Sequence, residues 1–245
     1  MVITSKTNEN IKKIYRLKDK KYRKEYKLYL VEGLKMTREA IEKGLPIENI
    51  VVSEEIKDEI FYTDKTLVVT KEIIKHLSDE VTPQGVLAVM KMPENLPFAP
   101  TGDCILLDRI QDAGNLGTII RSAVAFNIKE IYLYNCVDLY NTKTIRSSMS
   151  GIFSIKAYSG DRIKECLKDI PLLCADMSGE RLEDFIPYDK QCIVIGNEGN
   201  GVSDEIRSIC NKTISIPMEK DMESLNAGVA CSIIAYKLYV SKKNN

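Results

Sequence analysis

Apolar and polar residues alternate along the first part of the chain in short runs, some with strand spacing and some with helix spacing. The strand-like runs are residues 28–33, 47–53, 66–70 and 85–91. The helix-like runs are residues 36–44 and 71–79. Because strands that alternate with helices are typical of α/β proteins, this pattern predicts a small α/β domain.

The second part of the chain repeats the alternation with more strongly apolar strands. Its predicted strands are residues 104–108, 130–134, 171–176, 191–196 and 213–217. Its predicted helices are residues 115–126, 161–169 and 224–240, and a polar stretch covers residues 135–151. Strands that are apolar throughout indicate a parallel sheet that is covered on both faces.

A segment with the composition of a linker separates the two parts. Residues 92–103 (MPENLPFAPTGD) contain Pro93, Pro97 and Pro100 and show little periodicity. We therefore expect two domains, residues 1–95 and residues 96–245.

Composition limits the classes of protein that are plausible. The chain has 245 residues, of which 44% are apolar, so a sizeable core can form. No apolar run approaches the ~20 residues that span a bilayer, and the first residues lack the apolar stretch of a signal peptide. We expect a cytoplasmic protein without a membrane partner.

Cysteine and histidine are too dispersed to predict a metal site or nucleophilic catalysis. The seven cysteines contain no C-x-x-C pair, and His76 is the single histidine. The cysteines are therefore expected to be reduced core residues, His76 is expected to lie on a surface helix, and no metal is expected. Ser-His-Asp or Cys-His catalysis is poorly supported for the same reason.

Charge is distributed unevenly although the net charge is zero. Residues 1–30 hold ten Lys or Arg against three Asp or Glu, and tyrosines are interleaved with the cations. Such a segment suits RNA, because cations contact phosphates and aromatic rings stack on unpaired bases. The alternative is a solvated helix whose tyrosines face the core. The candidate RNA contacts are Lys12, Lys13, Arg16, Lys21, Arg23 and Lys24.

Three polar loops each follow an apolar strand of the second part. They lie in residues 112–123 (DAGNLGTIIRSA), 193–206 (IVIGNEGNGVSDEI) and 214–226 (ISIPMEKDMESLN). Loops at the carboxyl ends of parallel strands can converge on one ligand pocket, although three unrelated turns are the alternative. Neither G-x-G-x-x-G nor a Walker loop is present, which is a serious objection to a nucleotide-dependent oxidoreductase.

Together the three loops resemble the SpoU (TrmH) family of RNA ribose 2'-O-methyltransferases, in the SPOUT superfamily. The resemblance covers residues 104–240 and rests on N-x-G-x-x-x-R (115–121), I-G-N-E-G-x-G (195–201) and I-P-M followed by E-S-L-N (216–226). The first part, notably ITSKTNENIKKI and YLVEGLKMTREAIEKG, is similar to the family's substrate-binding extension.

The resemblance implies a fold and a cofactor. The fold is a ribosomal-protein-like α/β RNA-binding domain followed by a parallel-sheet SPOUT domain with a deep trefoil knot. The cofactor is S-adenosylmethionine. The residues implied in holding it are Asp176, Gly196, Asn197, Glu198, Gly199, Ile216, Met218 and Leu225.

The resemblance also implies the catalytic residues Asn115, Arg121, Glu198, Ser224 and Asn226. All of these except Glu198 match positions associated with the ribose and its phosphate. Glu223 and Arg146 lie beside them in the pattern, and Arg146 is a further candidate RNA contact. The family's favoured proton acceptor is the arginine at position 121. A guanidinium rarely loses its proton, so Arg121 is expected to clamp the phosphate and the developing alkoxide instead.

The expected activity is methyl transfer from S-adenosylmethionine to a ribose 2'-hydroxyl of structured RNA. The amino-terminal extension favours ribosomal RNA. Transfer RNA is the alternative substrate, and a non-catalytic RNA-binding protein is the alternative class. A homodimer is expected as well, joined partly through the carboxyl-terminal helix, because small residues of that helix leave grooves for close approach and its apolar residues offer knobs. The alternative is a helix buried entirely in its own subunit. The resemblance also implies that a second subunit completes the active site.

Overall fold

The computed structural model describes residues 2–60, 63–219 and 224–243. The chain divides into two compact units. The first contains Met1–Glu94 and Tyr140–Arg146, and the second contains Asn95–Leu139 and Ser147–Asn245.

The first unit is a mixed four-stranded sheet with helices. Its strands are β1 (Leu28–Glu32), β2 (Ile47–Ser53), β3 (Thr66–Val69) and β4 (Val86–Lys91), and its helices are α1 (Glu9–Arg16), α2 (Lys20–Tyr26), α3 (Leu34–Glu42) and α4 (Lys71–Leu77). The strand order is β1-β4-β2-β3, with β4 antiparallel to both neighbours and β2 parallel to β3. The α/β character predicted for this part is confirmed.

Helix α1 has an apolar face and a basic face. Asn8 caps it, because its side-chain oxygen accepts hydrogen bonds from the backbone N–H groups of Asn10 and Ile11. Ile11 and Ile14 are buried in a core shared with β1, β2, β4 and α4. Since residues three apart share a helix face, this burial turns the lysines between them toward solvent.

The second unit is built on a six-stranded sheet. The second half of the chain contains strands β5 (Cys104–Asp108), β6 (Glu130–Tyr134), β7 (Lys156–Tyr158), β8 (Leu172–Arg181), β9 (Cys192–Ile195) and β10 (Lys212–Ser215), and helices α5 (Ala113–Ala125), α6 (Thr142–Ser148), α7 (Ile163–Cys166), α8 (Asp204–Arg207) and α9 (Ala227–Lys243). The strand order is β10-β8-β9-β5-β6-β7, and every pairing is parallel. The predicted parallel sheet is confirmed, and all residues of β5 and β9 are buried.

Several boundaries differ from the prediction. Helix α5 begins at Ala113 instead of residue 115, because Asp112 accepts a hydrogen bond from the backbone N–H of Asn115 and caps the helix. Gly114 and Gly117 therefore lie inside the helix. Helix α7 is shorter than the predicted 161–169, whereas β8 extends to Arg181 beyond the predicted 171–176.

Helix α9 presents different faces to its own unit and to solvent. The buried residues are Ala227, Gly228, Cys231, Ile234, Ala235 and Leu238. A Cβ added at Gly228 would lie 3.1 Å from Cγ2 of Thr118, so glycine permits close contact with α5. Val229, Ile233 and Tyr236 are exposed. Helix α9 is therefore not covered on every side by its own unit, and the predicted homodimer stays a prediction.

Within the part of the chain that the structure describes, no helix is both long and apolar enough to cross a membrane. The deep trefoil knot stays a prediction.

Candidate active site

The carboxyl edge of the parallel sheet holds a cavity of about 330 Å³. All eight residues predicted to hold a cofactor line it: Asp176, Gly196, Asn197, Glu198, Gly199, Ile216, Met218 and Leu225. Ser224 lines it too. The loops that follow β9 and β10 therefore converge at one cavity.

Apolar residues that the sequence did not single out form much of the cavity wall. They are Ala175, Met177, Ile195, Ile214, Ala227, Ala230 and Ile234. Several belong to strand ends or to the buried face of α9, so their apolar character predicted burial in a core but gave no signal of a cavity.

Gly196 lets two backbone segments meet at the entrance to the loop after β9. A Cβ at this position would lie 2.1 Å from the carbonyl carbon of Gly201 and 2.2 Å from the nitrogen of Val202. No side chain fits in that space. Asn197 and Gly201 close the loop by exchanging two backbone hydrogen bonds of 2.9 Å.

The side chain of Asn197 holds this loop in place. Its Oδ1 accepts hydrogen bonds from the backbone N–H groups of Gly199 (3.0 Å) and Asn200 (3.1 Å). Its Nδ2 donates to the carbonyl of Arg109 at 2.8 Å. Asn197 therefore lines the cavity, but both ends of its amide serve loop structure.

Asp108 and Arg109 join the loop after β5 to the loop after β9, a role that the sequence prediction missed. Asp108 is fully buried, and its Oδ2 accepts a hydrogen bond from the backbone N–H of Ser203. Arg109 has a φ of 59°, and its Nη2 donates to the carbonyl of Gly201 at 3.3 Å. A carboxylate that ends an apolar strand was the available signal, because a buried charge needs partners.

A chain of polar contacts links three of the predicted catalytic residues. Asn115 donates from Nδ2 to Oε1 of Glu198 at 2.9 Å, and Asn226 donates from Nδ2 to Oδ1 of Asn115 at 2.8 Å. A carboxylate accepts hydrogen bonds but cannot donate them, so Glu198 fixes which way the amide of Asn115 faces. Because Asn226 donates to Asn115, the orientation of the Asn226 amide is fixed as well.

The far end of that chain caps helix α9. Oδ1 of Asn226 accepts hydrogen bonds from the backbone N–H groups of Gly228 (2.9 Å) and Val229 (3.2 Å). Side-chain acceptors at a helix start satisfy N–H groups that have no partner within the helix. Residues separated by 83 and 111 positions in the chain are thus held in one network.

Glu198 is negatively charged at neutral pH. Burial opposes its ionisation, but hydrogen bonds from the Asn115 side chain and from the backbone N–H groups of Glu198, Asp112 and Gln111 lower its pKa overall. A carboxyl group with a lowered pKa is a poor general base near pH 7. What Glu198 offers in the structure is a negative charge and hydrogen-bond acceptors.

Arg121 lies on α5, about 9 Å beyond Asn115 along the helix axis. Its side chain is exposed, and it makes no hydrogen bond or ion pair with the described residues. Its guanidinium is available to an incoming anion. Glu223, which the resemblance places nearby, lies outside the described residues.

Asp176 is held by its neighbours at the cavity wall. Its carboxylate accepts hydrogen bonds from the backbone N–H of Ser178 (3.0 Å), from the Ser178 hydroxyl (2.7 Å) and from Arg207. These bonds, led by the backbone N–H of Ser178, lower the pKa of Asp176 to about 2.

The basic residues predicted to contact RNA differ in their exposure. Five of them, on α1 and α2 of the first unit, are exposed: Lys12, Lys13, Arg16, Lys21 and Lys24. Lys12 pairs with Glu9 at 2.8 Å, but both side chains are exposed, and such pairs are weak.

One of the predicted RNA contacts, Arg23, needs correction, and a second, Arg146, lies beside carboxylates. Arg23 is 3% exposed, and its Nη1 donates to the carbonyls of Leu17 and Lys18, each at 2.7 Å. It holds the turn after α1 and offers no charge to solvent. Arg146 pairs with Glu80 at 2.8 Å and lies 3.8 Å from Glu32. Two carboxylates therefore face the guanidinium of Arg146, which is 30% exposed, and its contact with RNA stays a prediction.

The tyrosines of the basic segment do not all face the core. Tyr29 is buried, whereas Tyr15 is 43% exposed and stacks on His76 with ring centroids 4.3 Å apart. Arg16 lies 5.3 Å from the ring centre of Tyr22. His76 is thus a partly buried residue on α4, consistent with the predicted surface helix.

The described residues contain no group of three or more His, Cys, Asp or Glu side chains placed to hold a metal ion. The cysteines are free thiols.

Comparison with known proteins identifies the class to which this fold and site belong. The model of the SpoU rRNA Methylase family matches residues 103–236. The model of the MRM3-like substrate binding domain matches residues 8–88. Since the first match covers more than half of the chain, the protein belongs to the SpoU rRNA Methylase family.

Individual relatives match along most of the chain. The 23S rRNA (guanosine(2553)-2'-O)-methyltransferase RlmP of Bacillus subtilis is 28% identical, with 96% of this chain and 98% of the relative covered. The 23S rRNA (uridine(2479)-2'-O)-methyltransferase of Streptomyces viridochromogenes is 28% identical, with 85% and 81% covered.

A solved structure matches in fold as well as in sequence. The SpoU methyltransferase AviRb from Streptomyces viridochromogenes, in complex with the cofactor AdoMet, has a TM-score of 0.87 and 26% identity. The match covers 97% of this chain and 99% of that one.

Proposed function

We propose that this protein transfers a methyl group from S-adenosylmethionine to a ribose 2'-hydroxyl of ribosomal RNA. The observation that carries the proposal is the hydrogen-bonded chain from Glu198 through Asn115 to Asn226 at the rim of one cavity. The relatives that match over most of the chain are ribosomal RNA 2'-O-methyltransferases by name, which supports this substrate.

The cavity fits the cofactor. Its volume of about 330 Å³ lies within the range of roughly 300–1,000 Å³ typical of small-molecule sites. Ile216, Met218 and Leu225 offer apolar walls for a purine, and Gly196 and Gly199 let backbone groups approach it closely. When bound, S-adenosylmethionine supplies a methyl group on a positively charged sulfur, which leaves as a neutral thioether.

Arg121, Asn115 and Asn226 orient the ribose and its phosphate. The exposed guanidinium of Arg121 clamps the phosphate and stabilises the negative charge that develops on the 2'-oxygen. The hydroxyl proton passes to water or to a phosphate oxygen, since a guanidinium does not accept it. Ser224, at the cavity, is a further contact for the ribose.

Glu198 positions the amides and does not take up the proton. Its ionised carboxylate holds Asn115 in one orientation, and Asn226 follows. A weak nucleophile such as a hydroxyl depends on this alignment, because in-line positioning supplies much of the rate.

The amino-terminal unit delivers RNA affinity. Lys12, Lys13, Arg16, Lys21 and Lys24 give α1 and α2 an exposed basic face, and the substrate-binding family model covers both helices. This assignment makes residues 1–95 the RNA-binding domain and residues 96–245 the catalytic domain. We place the protein in the cytoplasm.

The enzyme works as a homodimer that forms partly through α9. Val229, Ile233 and Tyr236 lie exposed on this helix at spacings that place them along one stripe. Such a stripe on a two-fold axis meets its own copy. Sedimentation at micromolar concentration should report about twice the 27.7 kDa chain mass. A fully active monomer would contradict this part of the proposal.

The proposal is tested by incubating the purified protein with S-adenosylmethionine labelled in its methyl group and with 23S ribosomal RNA transcribed in vitro. Label should appear in 2'-O-methyl nucleosides. Label in transfer RNA but not in ribosomal RNA would overturn the substrate. Cofactor binding without transfer to either RNA would favour a non-catalytic RNA-binding protein.

A further inference from the structure

A groove of about 870 Å³ lies at the amino-terminal edge of the parallel sheet, opposite the cofactor cavity. Strands begin at this edge: Lys129 precedes β6, Lys156 opens β7 and Lys190 lies two residues before β9. The backbone N–H of Lys156 donates to the carbonyl of Lys129 at 2.7 Å, so these lysines are neighbours. The order of the strands therefore places these three lysines in a row along the groove.

The carboxylates of the groove that sit nearest the strands are engaged by other groups. Asp103 accepts from Nζ of Lys242 at 2.8 Å on both oxygens. Glu130 accepts from the backbone N–H (2.8 Å) and the hydroxyl (3.0 Å) of Thr101. Asp103 is thus paired with Lys242, whereas Glu130 keeps its charge. Five lysines line the groove (129, 156, 190, 242 and 243) against three carboxylates (103, 130 and 189), so its net charge is positive.

The lysines remain available to a ligand. Lys129, Lys156 and Lys190 are exposed, and none of them forms an ion pair with the residues that the structure describes. Nζ of Lys156 lies over the ring of Phe98, 3.8 Å from its centre, which fixes the direction of the charge without cancelling it. Phe126 and Phe153 also line the groove and add flat apolar surface.

We propose that this groove binds the sugar-phosphate backbone of the RNA substrate away from the nucleotide that is methylated. The inference rests on the proposed function, since that function makes RNA the ligand. A row of cations with aromatic rings beside it suits a phosphate backbone with flanking riboses and bases.

The distance between the two edges is compatible with one RNA molecule. Strands of four or five residues rise about 3.3 Å per residue, so the edges lie roughly 15 Å apart. Double-stranded RNA-binding domains span about 16 base pairs, so a structured RNA is long enough to contact both edges. The groove thereby lengthens the footprint of the catalytic unit on RNA.

The test compares two triple variants that remove the same charge. The groove variant carries Lys129→Ala, Lys156→Ala and Lys190→Ala. The control variant carries Lys164→Ala, Lys168→Ala and Arg181→Ala, which are exposed basic residues of the same unit that do not line the groove. Affinity for in vitro transcribed 23S ribosomal RNA is measured by filter binding between 50 and 300 mM KCl, roughly the range in which salt dependence is steep.

The groove variant should bind RNA about tenfold or more weakly at 100 mM KCl, and its slope of log affinity against log salt should be smaller by about 2 to 3. The control variant should match the wild type. Affinity for S-adenosylmethionine and sedimentation should be unchanged in both variants, because neither set of side chains lines the cofactor cavity.

The failures of the two proposals are distinguishable. If the wild-type protein transfers no methyl group to this RNA, the proposed function fails and the groove loses its ligand. If the wild type is active and the groove variant binds RNA with unchanged affinity and slope, the groove proposal alone is wrong. Equal losses in the groove and control variants would also overturn it, because net charge would then explain both.

Discussion

The loops at the carboxyl edge of the parallel sheet and the basic helices α1 and α2 differ in what fixes their polar side chains. At this edge, Asn115 at the start of α5 is hydrogen-bonded to Glu198 (2.9 Å) and to Asn226 (2.8 Å). The backbone around Gly196 leaves no room for a side chain. On the helices, Lys13 and Lys24 are exposed cations that no carboxylate positions in the described structure.

The first region depends on the fixed positions of its groups, whereas the second depends on the number of its exposed charges. A methyl transfer site needs its groups in fixed positions before substrate arrives. An electrostatic surface needs only enough cations close to phosphates, because the gain comes from released counterions. Substitutions in the first region should therefore change the rate or the cofactor affinity, whereas substitutions in the second should change the salt dependence of RNA binding.

Arg121→Ala should have the largest effect. Without the guanidinium nothing clamps the developing charge, so the transfer rate should fall at least about a hundredfold. Affinity for S-adenosylmethionine should stay within a few fold, since Arg121 does not line the cavity. Rate and calorimetric titration measure the two separately, and Arg181→Ala is the control, an exposed arginine that pairs with Glu183. Parallel loss of cofactor affinity in Arg121→Ala would place this residue in the cofactor site.

Gly196→Ala should come next. Its Cβ would lie 2.1 Å from backbone, so the loop must shift. Overpacking of this kind typically costs 1–3 kcal/mol, so we expect a melting temperature lower by about 4 °C or more and cofactor affinity reduced at least about tenfold.

Gly199→Ala is the matched control in the same loop, because its nearest neighbour, Oδ1 of Asn197, would be 3.7 Å from the new Cβ. Its melting temperature should equal that of the wild type. Equal destabilisation by both substitutions would show that the loop is not held as described.

Changing Lys12, Lys13, Lys21 and Lys24 to Ala should weaken RNA binding and lower the salt slope by about 3 if all four contact phosphates. Arg23→Ala, in the same helices, should behave differently. It leaves the carbonyls of residues 17 and 18 without their donor, so it should lower stability by about 1–3 kcal/mol without changing the slope. Unchanged RNA affinity and slope in the lysine variant would remove α1 and α2 from the RNA site.

Asp176 should give the smallest effect, visible only in acid. Its folded pKa of about 2 lies below its ordinary value of 3.8, so its ionised form stabilises the fold above that value. The contribution is lost as the pH falls from 3.8 through about 2. The difference in unfolding free energy between the wild type and Asp176→Asn should therefore be constant above about pH 5 and shrink below pH 4. A difference that does not vary with pH would contradict the assigned interactions.

The motifs at strand ends predicted which residues lie together at the cavity. The count of basic residues was less successful in predicting which side chains are exposed on α1 and α2. Asn115, Glu198 and Asn226 follow apolar strands or open a helix, and a parallel sheet brings such positions to one edge. Arg23 carries the same charge as its neighbours in sequence, but it is buried because it satisfies two carbonyls. Nothing in a count of charges distinguishes it.

Some structure has no local signal in the sequence. The extension of β8 to Arg181 depends on parallel pairing with β10, through a register shift between Thr213 and Ile214. Residues 177–181 (MSGER) show no apolar alternation, so only the partner strand makes them a strand. Residues 140–146 pack with the first unit although they follow β6 in the chain. Contacts of this kind are set by tertiary structure and not by periodicity.

The most direct test of the account is a map of ribose methylation across ribosomal RNA from three strains: one with the protein, one without it, and one in which the Arg121→Ala protein replaces it. We predict at least one 2'-O-methylated nucleotide that is present in the first strain and absent from the other two. An identical map in all three strains would contradict the assignment of this protein as a ribosomal RNA ribose methyltransferase.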